Sequence, residues 1–324
     1  MHATQDDDST GRPVAHVVVL GNTNVDLVAY VPREVAEGET IIASDFTIGL
    51  GGKGANQAVA ARRAGSAVSF IGRVGTDSFG EMMLEGLSQE GIDLAHLEQI
   101  DGPSGNATIW VQPDGANRIT VFLGASGKIT PEAAEHAVST HSQAKFFVSQ
   151  LELGHDVVLA GLGSAKSHGM TTVLNIAPYS ALSPEMLEHT DWLIANEGEL
   201  EALLTDVGIE TTLELSPGEL IEQVPAWSEA IGTNVVVTLG SQGALGHAAG
   251  SEPYFAEAPK VTAIDTVGAG DCFVGYFVSA LNGGHPWQQA LRSGVHAASE
   301  SVQRLGAQAS YPAAEDAKRF TTIS

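Results

Sequence analysis

Short apolar runs alternate with longer segments of helical spacing along most of the chain. Residues 16–20 (HVVVL) are a β-branched run that stops at Gly21, as expected of a strand buried on both faces with a loop after it. Comparable strands are predicted at 68–72, 146–150, 171–175, 192–195 and 234–239. Between them, apolar residues every three or four positions predict helices at 54–64, 79–90 (ended by Gly91), 157–166, 183–189, 197–204, 218–230 and 269–281. Two segments break this rhythm. Residues 27–46 alternate apolar and polar around Pro32 and Gly38, and residues 107–122 do so around Pro113-Asp114-Gly115, a hairpin signal. They predict exposed antiparallel strands outside the main sheet.

Strands alternating with helices specify an α/β fold with a mostly parallel sheet covered on both faces, its ligands gathered at the carboxyl ends of the strands. No internal repeat or low-complexity linker divides the chain, and 211–217 reads as a polar loop. The expected organisation is a disordered tail at 1–14, containing Asp6-Asp7-Asp8, followed by one domain at 15–324. Lid strands are expected from about 24–50 and 104–124.

The loops after the strands hold the candidate chemistry. Asp265-Thr-Val-Gly-Ala-Gly-Asp271 leads directly into an apolar helix, so the backbone N–H groups of Gly268, Ala269 and Gly270 are uncovered at a helix N-terminus. Such a terminus stabilises the charge of a transferring phosphoryl group. Asp271, in the first turn, is placed to accept the proton of an attacking hydroxyl. The plain alternative is a simple helix-start carboxylate.

The segment Thr47-Ile-Gly-Leu-Gly-Gly-Lys-Gly-Ala-Asn-Gln57 imitates two nucleotide motifs without fitting either. A P-loop requires Ser or Thr after its lysine, and Gly54 follows Lys53. Gly49, Gly51 and Gly54 match G-x-G-x-x-G, but they do not lie in the turn after the first strand, and Arg73, Val74 and Gly75 stand where an acidic residue is needed. Backbone made accessible by glycine, with Lys53 and Asn56 reaching inward at a helix start, suits a small polar ligand; a tight turn with solvated side chains is the rival. Strand alternation points Asn22, Asn24 and Asp26 to one side, where they can bind hydroxyls or form an Asx-rich turn. Thr238-Leu239-Gly240-Ser241-Gln242-Gly243 follows a strand and can wrap phosphate or ribose, or serve only as a turn. Asn196-Glu-Gly-Glu199 can orient Mg2+ through water, with a plain helix cap as the alternative.

Composition narrows the partners. The formal charge of −24 repels nucleic acid and anionic membrane surfaces, so neither is expected as a partner. With 15 Lys and Arg against 39 Asp and Glu, a bound phosphate must be held largely by backbone N–H groups, helix termini or metal ions. No apolar run approaches the roughly 20 residues of a membrane span. The single cysteine, Cys272, cannot form an internal disulfide, which points to a reducing, cytoplasmic location.

Gly51-Gly-Lys-Gly-Ala-Asn56, Asn196-Glu-Gly-Glu199 and Asp265-Thr-Val-Gly-Ala-Gly-Asp271, in this order and wide separation, resemble the signatures of the ribokinase family of carbohydrate kinases, over about residues 17–312. The resemblance implies a three-layer α/β/α fold with a small antiparallel β lid, and ATP-dependent phosphorylation of the 5-hydroxyl of D-ribose. It implies that Asn24, Asp26, Gly52, Lys53, Gly54, Ala55, Asn56 and Glu152 hold the sugar, with Asp271 as base and Gly268, Ala269 and Gly270 as anion hole. Asn196, residues 238–243, Gly270 and Val295 would line the ATP site, and Glu199 would hold Mg2+ through water. Potassium would bind at Asp265, Val267, Ser301, Arg304, Gly306 and Ser310, at several of these through backbone carbonyls. The lid of such kinases commonly pairs with a second subunit, so a homodimer is implied. Two positions depart from the family pattern: Ser126, where asparagine is frequent, and Ile176, where proline is usual. Ser126 lies near the lid and bears on which sugar is accepted. Another neutral sugar or nucleoside, such as deoxyribose or fructose, and a non-catalytic sugar-binding protein on the same fold are the competing readings.

Overall fold

A computed structural model describes residues 16–211, 213, 215–316 and 319–320; the expected tail at 1–14 lies outside them. The chain runs β1 (Val17–Leu20), β2 (Asn24–Tyr30), β3 (Asp45–Gly51), α1 (Lys53–Arg63), β4 (Val68–Gly75), α2 (Ser78–Gln89), β5 (Asp93–Ile100), β6 (Asn106–Val111) and β7 (Asn117–Phe122). It continues through α3 (Pro131–Ser139), β8 (Phe146–Gln150), α4 (His155–Ser167), β9 (Thr171–Asn175), α5 (Pro184–Glu188), β10 (Trp192–Asn196), α6 (Glu197–Asp206) and α7 (Pro217–Ile231). The last described elements are β11 (Asn234–Thr238), β12 (Gly243–His247), β13 (Tyr254–Glu257), α8 (Ala269–Asn282) and α9 (Trp287–Ser301).

Nine strands form the main sheet in the order β13-β12-β11-β10-β9-β8-β1-β4-β5. The seven from β11 to β5 are parallel, and β12 and β13 close one edge antiparallel. Central strand β1 is wholly buried, in keeping with its unbroken Val-Val-Val-Leu sequence. The chain winds from β1 to β4 on one side and to β8 on the other, so the order of the strands reverses at β1, and a ligand crevice is expected there.

The second sheet, β3-β2-β6-β7, is built from the two segments whose alternation set them apart. Each hairpin is antiparallel, while β2 and β6 lie parallel at the centre. Both of these strands leave the main sheet beyond the carboxyl ends of its strands, after β1 and β5, and so run in the same direction. This lid leaves Phe46, Ile48, Trp110, Ile119, Val121 and Phe122 exposed.

Several elements were not predicted. β5 is an edge strand of mixed burial with four polar residues, and β12 and β13 are short strands at the other edge. With Leu291 and Val295 as its larger apolar members, helix α9 carries its buried face largely on small residues such as Ala290, Ser293, Gly294 and Ala297. Its close approach to α8 requires them: a Cβ on Gly294 would lie 2.7 Å from the Phe273 ring. α8 is buried from Asp271 to Ala280. Each large apolar side chain buried there contributes about 1.5–3 kcal/mol, so the helix start is rigidly placed. α8 packs directly on α1, where a Cβ on Gly275 would lie 2.4 Å from that of Ala60. That contact brings the polar residues of α1 to the start of α8.

Candidate active site

The cleft lies over the carboxyl ends of β9, β10 and β11, between the starts of α1 and α8, and has a volume of about 230 Å³; Asn24, Asp26 and Glu152 are not among the residues that line it. Its walls include Lys53, Asn175, Asn196, Glu199, Thr238, Thr266, Gly268, Gly270 and Asp271. Lys53 and Asp271, 218 positions apart in the sequence, therefore share one cavity.

Lys53 is the first residue of α1 and is positioned by Gly52, whose φ of 93° is a conformation that L side chains rarely adopt. A Cβ on Gly52 would also lie 2.7 Å from Thr23 Cα. The Lys53 N–H donates to Glu152 Oε2 at 3.1 Å. In front of it, Asn22 donates to Asn24 Oδ1 (3.3 Å) and Asn24 donates to Asp26 Oδ1 (2.6 Å), so the three residues form one line of hydrogen bonds. Ser126 ties this line to the main sheet, its hydroxyl lying 3.2 Å from the Thr23 carbonyl and 3.0 Å from that of Arg73.

Burial raises Asp26 to about 6, against the Asn24 hydrogen bond and with the added repulsion of Asp271. Burial likewise raises Glu152 to about 7, where Lys53 lowers it and Asp271 raises it further. For Lys53 burial acts against the charged form, but the carboxylates of Asp271, Glu152 and Glu199 outweigh it and the pKa is raised. One ammonium thus serves several acids.

Asp271 is 7% exposed, and both its oxygens are held by amides. Asn56 Nδ2 donates to Oδ2 at 3.0 Å and Gln57 Nε2 to Oδ1 at 2.9 Å. A carboxylate buried beside an apolar core is costly unless it is hydrogen-bonded in this way. Asn56, expected on the sugar, is committed on its other side as well, accepting from Gln308 Nε2 at 3.0 Å. Gln57, Gln150, Asn175 and Gln308 were absent from the predicted site.

The turn before α8 matches its expected form in part. Gly268 caps the helix with φ 74°, no side chain caps it, and Tyr311 fixes it by donating to the Gly268 carbonyl at 2.9 Å. The Ala269 N–H turns back onto the Thr266 carbonyl at 3.2 Å, so this member of the expected anion hole is used locally. Gly268, Gly270 and Asp271 line the cleft.

Of the expected nucleotide residues, Asn196 and Thr238 line the cleft, while Gly240, Ser241 and Gln242 form an exposed turn beyond it. Leu239 and Val295 are 2% and 3% exposed and pack into the core, because the inner faces of the β11 end and of α9 point there. Asn196 and Glu199 form a reciprocal helix cap, each side chain accepting the other's N–H at 2.9 Å. The capping alternative is therefore present, and Glu199 also reaches the cleft wall.

The residues expected at potassium meet in one turn. Ile264 and Asp265 donate their N–H groups to the Val302 carbonyl, next to buried Ser301. The Asp265 carboxylate accepts from Val267 (3.0 Å) and Gly306 (2.8 Å). Carboxylate, hydroxyl and carbonyl oxygens are hard donors that fit an alkali cation. The Arg304 guanidinium is drawn to Glu300 (2.8 Å) and to the Ser310 carbonyl (3.2 Å), which leaves Arg304 only its main-chain oxygen to offer. Among the described residues there is no group of three or more His, Cys, Asp or Glu side chains suited to a metal, and no helix long and apolar enough to cross a membrane. Cys272 is fully buried, which pushes its thiol far up and removes it from chemistry.

Comparison with known proteins shows the family and the fold. A family model described as pfkB family carbohydrate kinase matches residues 14–314. The chain is similar to a ribokinase of Staphylococcus aureus (strain COL), with 39% identity over 304 residues, 93% of this chain and 97% of that one. It is 32% identical to a deoxyribokinase of Salmonella typhi over 312 residues, covering 95% and 99%. Its fold is similar to that of Arabidopsis thaliana ribokinase complexed with ribose and ATP, with a TM-score of 0.86, 30% identity, and 96% and 100% coverage.

Proposed function

The chain belongs to the pfkB family of carbohydrate kinases, and from that premise we propose that it transfers the terminal phosphoryl group of ATP to the 5-hydroxyl of D-ribose. The observation that carries this reading is Asp271, a buried carboxylate at the uncapped start of α8, facing a cleft that also contains Lys53. Asp271 takes the hydroxyl proton as the oxygen attacks phosphorus. Gly268 and Gly270, at the positive end of the helix, stabilise charge on the transferring group. Asn24, Asp26, Lys53 and Glu152 hold the sugar hydroxyls. Mg2+ would be held by Glu199 through water and by the nucleotide, and supplies neutralising charge. K+ would be held by Asp265 and by main-chain oxygens near Val267, Ser301, Arg304, Gly306 and Ser310, and supplies positive charge beside the turn before α8.

Ribose is favoured by the likeness to ribokinases, one of which is described with ribose and ATP bound. Deoxyribose is the second reading, supported by the Salmonella typhi relative. A phosphorylated acceptor is disfavoured, since Lys53 alone would face its dianion among Asp26, Glu152 and Asp271. The exposed apolar residues of the lid support pairing with a second copy of the chain through that sheet. The test is ADP release with ribose, deoxyribose, fructose and nucleosides, together with Asp271→Asn. Ribose should give the highest kcat/KM, and Asp271→Asn should lose about 10²–10⁴-fold in kcat with an unchanged fold. Near-normal turnover in the variant would sink the assignment of the base, and binding of sugar without ADP release would favour a non-catalytic protein.

A further inference from the structure

We infer that Gln57 is a positioning residue for the base, held by a directional chain of buried amides that presents only N–H groups to Asp271. The inference rests on the reading of Asp271 as base.

A side-chain amide can face either way, but at this site the direction is fixed from outside. Asn175 Nδ2 donates to the main-chain carbonyl of Ile194 at 3.1 Å, and a carbonyl can only accept. Asn175 Oδ1 must then face inward, where it accepts from Gln57 Nε2 at 3.0 Å. The same nitrogen donates to Asp271 Oδ1, and Gln57 Oε1 accepts from Gln150 Nε2 at 2.7 Å. Turned over, Gln57 would set its oxygen against both the Asp271 carboxylate and Asn175 Oδ1 in a site closed to water. Gln57 and Gln150 are each 1% exposed, and Asn175 is 8% exposed.

A second observation argues that this chain is kept for more than packing. Apart from Asn56, which also bonds Asp271, the residues buried with Gln57 on α1 are glycine, alanine and valine, and an apolar residue would fill the Gln57 position. Gln150 Oε1 is buried without a hydrogen-bond partner and abuts Gly21, where a Cβ would lie 2.5 Å away. An unpaired buried oxygen costs stability, so its retention calls for a functional reason.

Asp271 also faces Lys53 from α1, Asp26 from β2, Glu152 from the loop after β8, Tyr311 from the segment after α9, and Cys272 on its own helix. The amides of Asn56 and Gln57 add two fixed donors, one on each carboxylate oxygen, that set the orientation of the carboxylate. Removing the Gln57 donor should therefore reduce chemistry more than sugar binding.

The test uses Gln57→Met and Gln150→Met in the full chain, with Asp271→Asn alongside. For Gln57→Met, kcat should fall about 10- to 100-fold with sugar KM within about threefold, because a hydrogen bond to a charged group is lost while the sugar contacts stay. Gln150→Met, which never touches Asp271, should show the same pattern more weakly; it carries the test if Gln57→Met does not fold. A kcat left unchanged in the folded variants, or a rise in sugar KM that matches the fall in kcat, overturns the inference and makes the chain structural, whatever happens to thermal stability. If Asp271→Asn itself retains turnover, the assignment of the base has failed instead.

Discussion

On the side proposed for the sugar, Glu152 and Asp271 act on Lys53 and Asp26 acts on both acids, so recognition would fall to charged side chains. On the side proposed for the nucleotide the cleft walls are Asn196, Thr238 and the turn at Gly268 and Gly270, without a basic side chain beyond the shared Lys53. The sugar is neutral and offers hydroxyl donors, for which carboxylates are good acceptors, and it brings no charge for them to repel. ATP brings its own negative charge, and in a chain with 15 basic residues it must be met by backbone N–H groups and metal ions. The contrast teaches that the acidity of this protein is compatible with phosphate chemistry if phosphate recognition is assigned to the main chain, as proposed here.

Three measurements would break or sharpen that contrast. The largest effect is expected for Lys53→Met, which leaves the acids of the sugar end without their ammonium; sugar kcat/KM should drop about 100-fold or more, at roughly 1.4 kcal/mol per decade. A drop confined to the ATP KM would show that Lys53 belongs to the nucleotide end. Next is Glu152→Gln. The Glu152 carboxyl is raised by burial from 4.5 to about 7, so folding takes up a proton between these values and loses stability as pH rises through 7. Relative to wild type, Glu152→Gln should gain up to roughly 3 kcal/mol between pH 4 and pH 8, the shift taken at 1.36 kcal/mol per unit. A pH-independent difference in unfolding midpoints between the two proteins would refute the raised value. The smallest effect is expected for Thr238→Ala and Ser241→Ala, each changing the ATP KM by no more than about tenfold, since a neutral hydrogen bond contributes only about 0.5–1.5 kcal/mol. A loss of 100-fold at either would move phosphate recognition from backbone to side chain.

The sequence made one half of this site more legible than the other. Lys53 and Asp271 lie in glycine-rich stretches that open helices, where spacing alone proposes a role. The amides around Asp271 carry no such local mark. Gln57 and Gln150 are 93 positions apart and Asn56 and Gln308 are 252 apart, and only the packing of α1 against the end of β8 and against the segment after α9 joins them. Gln150 and Asn175 did leave a faint signal, as polar residues ending the buried strands β8 and β9 at the carboxyl edge of a parallel sheet. The parallel core was readable from its β-branched runs, while β5 and α9 were hidden by polar edge positions and by small residues.

The crowd of acids around Lys53 has a consequence for how a turnover ends. The acceptor would enter uncharged and leave as a dianion, so the electrostatic repulsion of the site would fall on the product alone. Two unit charges about 4 Å apart repel by roughly 4 kcal/mol at an effective dielectric of 20, and with Asp271 neutralised by the proton it would have taken, Asp26 and Glu152 are the acids that would oppose the new phosphate. The reaction would thereby create the force that clears the cleft, and each completed transfer would hasten the departure of its own product.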